Sequence, residues 1–332
     1  MKAIIMTGRP FNIRSVYSED LRSRLADELT MYEPCTSLEN FLSRKEEIKD
    51  IEIIFSTWGM LPLTEEQIKE YLPNLRAVFY AAGTVQYFAK PFIACGVKVF
   101  SAWAANAVPV SEIAAAEILL ASKGFFQRRV KSRAQWTNHD PHNHYPGNYQ
   151  TKVGLLGAGM IGRGVIANLK GCDLDIYVFD PFLPDEKAEA LGVKKADLDW
   201  IFENCNVISN HIANNADTVG MITKKQFDKM GSHAVFINTG RGAQLVEKDM
   251  IEALKEVPTR FAILDVSDPV EPPVEDSPLY EMDNVYMTPH IAGSIGNEYH
   301  RLSEYMYSEY KAYISGGETK YEVTAEMLKT MA

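Results

Sequence analysis

The sequence predicts an α/β protein built as two doubly wound parallel-sheet domains. Three observations carry this expectation. The chain has 332 residues, more than one hydrophobic core usually serves. Short apolar runs alternate with stretches of helical periodicity, and such alternation implies parallel sheets covered on both faces. The alternation breaks at the polar, turn-rich segment 138–148 (NHDPHNHYPGN) and then restarts.

In the first part, KAIIM (2–6), IEIIFST (51–57), LRAVFY (75–80) and VKVF (97–100) read as strands. Between them, residues 19–29, 37–48 and 64–72 have the apolar spacing of helices. Thr64, followed three residues later by Gln67, forms a capping-box pattern. The longest helical stretch spans 109–131. In the second part, KVGLL (152–156), DIYVFD (175–180), NVISNHI (206–212), HAVFIN (233–238), RFAILDV (260–266) and NVYMT (284–288) supply six strands, enough for a full dinucleotide-binding sheet. The C-terminal segment 297–314 is helical, with aromatic residues three and four apart, and shows no strand pattern. It is expected to return to the first domain. The expected division is therefore 1–103 plus 294–332 for one domain and 104–293 for the other.

Composition narrows the function classes. A net charge of −10 argues against general nucleic-acid binding. No uninterrupted apolar run reaches bilayer length, and the best candidate, EIAAAEILLAS (112–122), carries two glutamates. The N-terminal MKAIIMTGRP reads as a first strand and turn, not as a signal peptide. Cys35, Cys95, Cys172 and Cys205 lie far apart with no CxxC pair, which predicts reduced, packed thiols and a cytoplasmic protein.

The segment VGLLGAGMIGRG places Gly157, Gly159 and Gly162 in G-x-G-x-x-G spacing. A strand precedes them and a helix, stopped by Gly171, follows. The first two glycines permit a tight turn and close approach of a pyrophosphate, and the third lets helix and strand pack. The helix start offers N–H groups to phosphate oxygens at Met160 and Ile161. Asp180 ends the next strand, eighteen residues after Gly162. An acid there hydrogen-bonds the ribose hydroxyls and repels a 2′-phosphate, so NAD is favoured over NADP. With the glycine motif this late in the chain, the substrate domain is expected to precede the cofactor domain.

Taken together, these segments resemble the D-isomer-specific 2-hydroxyacid dehydrogenases. NAVPVSE (106–112) looks like that family's entry to its cofactor domain, and GLLGAGMIGRG resembles its glycine motif. NHIANNADTVGMI (210–222) looks like its next signature, with Ala213 where a proline is usual. FINTGRG (236–242), LDVSDPVEPP (264–273) and MTPHIAGS (287–294) resemble the segments that hold its catalytic arginine, acid and histidine. The resemblance implies a flavodoxin-like substrate domain and a Rossmann NAD-binding domain with a dimerisation helix and arm over the long helix. A homodimer follows by analogy, and a small 2-keto or 2-hydroxy acid is the implied substrate. Cofactor contacts are implied at His211, Ala213, Thr218, Thr239, Asp265 and Gly293.

The residue types suit the chemistry. Hydride transfer to a 2-keto acid needs a grip on the carboxylate, stabilisation of charge on the carbonyl oxygen, and one proton. Arg241, between two glycines just past a strand, has the planar fork for the first two tasks. His290 suits the third, since an imidazole titrates near neutral pH. Its expected carboxylate partner is Glu271, with Asp268 as the alternative. The family's usual glutamate lies five residues after the aspartate of LDV, and here Glu271 lies one residue later than that. In the first domain, YAAGTVQYF (80–88) resembles the family's carboxylate-binding glycine loop at Gly83 and Thr84, with Val85 in place of a second glycine. Trp58, in STWGMLP, and Trp103 are candidates for shaping the pocket.

His139, His142 and His144 cluster in the polar segment, but no helical spacing fixes them, and no metal site is expected. His233 and His300 read as structural or surface residues. The rival reading is a non-catalytic NAD-sensing regulator on the same fold, against which the Arg, Glu and His trio counts.

Overall fold

The structure, a computed structural model, describes residues 1–128, 133 and 144–329. It divides into two compact units, Met1–Asn106 with Ser294–Ala332, and Ala107–Gly293.

In the first unit, β1 (Lys2–Met6), β2 (Thr30–Cys35), β3 (Ile53–Ser56), β4 (Ala77–Tyr80) and β5 (Lys98–Ser101) form one parallel sheet with helices between them. The inner strands β3 and β4 are buried at every position, as expected of parallel strands covered on both faces. Their side chains feed two cores, one on each face of the sheet. Leu302, Met306 and Tyr310 of the helix Glu298–Ser315 are buried in the second of these cores. The capping box of Thr64 and Gln67 opens the helix Glu65–Tyr71, with both reciprocal hydrogen bonds made.

In the second unit, β6 (Tyr149–Leu156), β7 (Asp173–Phe179), β8 (Lys194–Lys195), β9 (Val207–Asn210), β10 (Val235–Asn238), β11 (Phe261–Leu264) and β12 (Val285–Met287) form a seven-stranded parallel sheet. Its order is β12-β11-β10-β9-β6-β7-β8. The chain starts at β6 near the middle and winds outward in both directions, which is the doubly wound dinucleotide-binding topology.

Four sequence expectations need correction. The long helix spans Trp103–Ser122 and begins six residues before its expected start at Pro109. Ala104, Ala105 and Ala107 are buried, and their packing carries the helix through Pro109 despite its missing N–H. So extended, this helix has the length and apolar character to cross a membrane by composition, but 56% of its apolar window is buried within the protein, as in a core helix. The C-terminal segment does contribute a strand, β13 (Glu322–Val323), paired antiparallel to β5, so the first sheet is not wholly parallel. Glu309 holds this return by accepting the N–H groups of Lys320 and Tyr321. The helical stretch 37–48 is two helices, Leu38–Ser43 and Lys45–Ile48, with Arg44 in a non-helical conformation between them.

Candidate active site

Strand register in the second unit explains why the candidate residues gather. Phe179, Leu156, Asn210, Asn238, Leu264 and Met287 pair in successive registers across the sheet. The residues that follow them are Asp180, Gly157, His211, Thr239, Asp265 and Thr288. All leave the carboxyl edge of one sheet, where open α/β sheets bind ligands.

The glycine turn is sterically determined. Gly157 has φ +95, and a Cβ there would lie 2.8 Å from the His211 carbonyl oxygen. A Cβ on Gly162 would lie 2.1 Å from the Gly157 carbonyl oxygen, so only glycine lets the helix Met160–Asn168 start this close to the turn. Gly159 sits at the helix N-cap in open space, with no side chain capping the helix and no acid in its first turn. Met160 is exposed and Ile161 half-buried beside it. The Asp180 carboxylate accepts the N–H groups of Ala158 and Phe182, which ties the acid to the glycine turn.

Arg241 is positioned by a buried amide network that sequence reasoning missed. Asn210, Asn238 and Gln244 are fully buried. Asn210 Nδ2 donates to Asn238 Oδ1 at 3.1 Å and to Gln244 Oε1 at 2.6 Å. Gln244 Oε1 also accepts the Arg241 N–H, Asn238 Oδ1 accepts the Gly240 N–H, and Asn238 Nδ2 donates to the Arg241 carbonyl. The backbone on both sides of Arg241 is thereby fixed, while its side chain is exposed and Nη1 donates to the Gly240 carbonyl. A Cβ on Gly242 would lie 2.1 Å from the Ser267 carbonyl oxygen, so the next residue must be glycine for this loop to seat against the β11 loop. The only sequence signal for the network was three amides at or beyond strand ends, which read equally well as turn residues.

His290 is held from below by Asp265. The buried Asp265 carboxylate accepts the Thr288 hydroxyl at 2.6 Å and the N–H groups of Ile291 and Ala292 at 2.8 Å each. Its carbonyl accepts the His290 N–H at 3.1 Å. These four bonds grip the loop on both sides of His290 and hold it at φ +53, a left-handed conformation that is rare for a residue with a side chain. Gly293 follows the gripped stretch. The imidazole is exposed, and its Nδ1 is in hydrogen-bond contact with Glu271 Oε1. Asp268 makes no contact with His290 among the described residues; its N–H donates to Glu247 and anchors the proline-rich loop. The Ser267 hydroxyl donates to the Val270 carbonyl and braces the same loop just before Glu271.

Buried polar atoms without partners lie along this edge. Both ring nitrogens of His211, the Thr239 hydroxyl and the Ser209 hydroxyl are buried with no hydrogen-bond partner among the described residues. Burial lowers His211 to about 4, so the ring is neutral at ordinary pH. Glu117 of the long helix is pushed up to about 7, first by burial and then by the negative charge of Asp265. The exposed Ala213 offers its carbonyl to the Thr218 hydroxyl, closing the loop after His211.

In the first unit, the Ser101 hydroxyl donates to the Ala82 and Gly83 carbonyls and fixes the loop after β4. A Cβ on Gly83 would meet nothing nearer than the Asn106 amide at 3.9 Å, and Thr84 is exposed beside it. Trp58 packs edge-on against Tyr299 at 5.3 Å, and Trp103 against Tyr321 at 5.6 Å. His139 and His142 lie outside the described residues. His144 stacks on His233 at 4.5 Å, and no group of metal-ligating side chains occurs among the described residues.

Residues 115–292, just over half the chain, match the model of the D-isomer specific 2-hydroxyacid dehydrogenase NAD binding domain. The chain belongs to the D-isomer specific 2-hydroxyacid dehydrogenases. A D-3-phosphoglycerate dehydrogenase of Haemophilus influenzae is 30% identical over 83% of this chain and 67% of its own length. One from Archaeoglobus fulgidus is 38% identical over 43% of this chain and 27% of its own length. The chain spans 27% to 58% of the length of three of the curated relatives that it matches. The apo structure of Rhodotorula graminis D-mandelate dehydrogenase superposes with a TM-score of 0.79 at 20% identity, covering 97% of each chain. This family's two-domain α/β fold is therefore the fold of the chain. The glycine turn, the uncapped helix start and the unpartnered His211 and Thr239 fit an NAD-binding domain.

Proposed function

We propose that the protein is an NAD(H)-dependent dehydrogenase that interconverts a D-2-hydroxy acid and a 2-keto acid. The observation that carries this reading is the contact between His290 and Glu271 at the same sheet edge as the glycine turn and Arg241. NADH, when bound, supplies the hydride to the carbonyl carbon. Glu271 engages His290 Nδ1, which leaves Nε2 as the nitrogen that delivers a proton to the carbonyl oxygen. The carboxylate fixes the orientation of the ring. The Arg241 fork pairs with the substrate carboxylate and draws charge from the carbonyl oxygen. Gly157, Gly159, Met160, Ile161 and Gly162 would hold the pyrophosphate, and Asp180 the ribose. The neutral, buried His211 and the Thr239 hydroxyl would contact the cofactor as uncharged hydrogen-bonding groups. Gly83 and Thr84 are proposed to bind the substrate carboxylate through backbone N–H groups.

The four cysteines are unpaired, which suits a reducing, cytoplasmic setting. A homodimer remains our expectation from the family. Incubation of the purified protein with NADH and a panel of 2-keto acids tests the activity. A non-catalytic regulator would consume no NADH and would keep its biological role after His290→Ala.

A further inference from the structure

Gln244 does more than fix the backbone at Arg241, because its amide has a second end. The side chain is fully buried, in the short turn Gly242–Gln244. Its Oε1 accepts the Arg241 N–H at 3.2 Å and Asn210 Nδ2 at 2.6 Å. Its Nε2 donates to the Ile212 carbonyl. The Arg241 N–H can only donate and the Ile212 carbonyl can only accept, so the amide has one orientation. An ionised glutamate here would set an oxygen against that carbonyl, and methionine would leave both backbone groups unpaired.

The Ile212 end of this link lies against the cofactor turn. A Cβ on Gly157 would lie 2.8 Å from the His211 carbonyl oxygen and 3.2 Å from the Ile212 nitrogen, so the glycine turn rests on the His211–Ile212 peptide. The loop that runs on from Ile212 comes back to the turn that holds Gln244. The Gly220 N–H donates to the Ala243 carbonyl at 2.8 Å, the Ile222 N–H to the Gln244 carbonyl at 3.1 Å, and the Val246 N–H to the Ile222 carbonyl at 2.9 Å. Gln244 therefore holds the start of this loop with its side chain and the end of it with its backbone. On the other side Gly240 presses close, since a Cβ there would lie 2.9 Å from Gln244 Oε1. A contiguous run of contacts leads from the glycine turn through Ile212 and Gln244 to Arg241, all within the second unit.

We propose that Gln244 is a positioning residue that couples NADH seated on the glycine turn to the placing of Arg241. This rests on the dehydrogenase reading above. NADH against the His211–Ile212 peptide steadies one end of the amide, and the other end steadies Arg241 for the substrate carboxylate. Ordering accomplished by the cofactor is then not repeated when the keto acid binds. The coupling is reciprocal, so loosening Gln244 weakens both partners.

The test is a double-mutant cycle on the full chain, with saturating NADH and the 2-keto acid that the wild type reduces fastest. Its four proteins are wild type, Gln244→Met, Arg241→Ala and the double variant. Gln244→Met is expected to lower kcat/KM for the keto acid about tenfold when Arg241 is present, and less than about threefold when it is already alanine. Fluorescence titration is expected to show the Kd for NADH raised about threefold or more in Gln244→Met. The same titration counts binding-competent protein, so partial misfolding drops out of the rates. If Gln244→Met does not fold, Gln244→Asn, which draws the amide back by one methylene, takes its place in the cycle. An equal loss in both backgrounds marks a merely structural glutamine and overturns the proposal, as does an unchanged Kd for NADH; either result leaves the dehydrogenase reading standing. No turnover with any keto acid overturns both.

Discussion

His290 Nδ1 and Glu271 Oε1 are in direct hydrogen-bond contact, nineteen residues apart in sequence and on loops following adjacent strands. The imidazole is thereby committed to one orientation, with Nε2 left for chemistry. His290→Ala should lower kcat by about a thousandfold or more, since a positioned proton donor contributes 10²–10⁴. Glu271→Gln keeps an acceptor oxygen but removes the charge, and a loss of about ten- to a hundredfold in kcat is expected, with Glu271→Ala worse. Equal kcat for wild type and Glu271→Ala would refute the pairing's role.

If Arg241 anchors a planar carboxylate as proposed, charge alone does not replace it. Arg241→Lys should cost about a hundredfold in kcat/KM, spread over both constants, because the fork is lost in ground and transition states alike. A change confined to KM would mean that Arg241 binds the carboxylate but does not stabilise the developing oxyanion.

Asp265 acts on His290 through the backbone. Asp265→Asn turns one of the two acceptors into a donor, which then faces either the Ala292 N–H or the Ile291 N–H and the Thr288 hydroxyl. The expected loss is about 1–3 kcal/mol of stability, with kcat reduced because His290 is no longer held. Denaturant unfolding and steady-state kinetics of the same sample check this. Unchanged stability would contradict the loop-gripping role.

Two buried groups tilt stability in opposite directions with pH. His211 is held down to about 4 in the folded chain, against about 6.5 when unfolded. Its contribution is full above the unfolded value and is lost as pH falls toward 4, by about 3 kcal/mol at most. Glu117 is raised to about 7 from its ordinary value of 4.5, so its contribution is full below 4.5 and is lost as pH rises to 7. Glu117→Gln should therefore raise the melting temperature at about pH 8 and change it little at about pH 4.5. The same shift at both pH values would show that the gain does not come from titration of Glu117.

Much of this was legible in the sequence, and the reasons differ by element. The glycine turn and Asp180 were readable because steric need and chemistry act within one βαβ unit. Glu271 was harder, because the one-residue lengthening of its loop moves it off the usual spacing, and only the fold shows that the longer loop still delivers it to His290. Strand β2, TMYEPC, went unread because it is an edge strand with polar residues and a proline, and so lacks the pattern of a buried strand. The network of Asn210, Asn238 and Gln244 was invisible because its logic is lateral: strand register joins residues far apart in the chain.

The most direct test of the central claim is NADH consumption by wild type and His290→Ala with a panel of 2-keto acids, from acid to neutral pH. The account predicts that wild type reduces at least one of them to the D-hydroxy acid and that His290→Ala reduces it at about a thousandth of that rate or less. Absence of NADH consumption with every acid, or an equal rate in the variant, would contradict it.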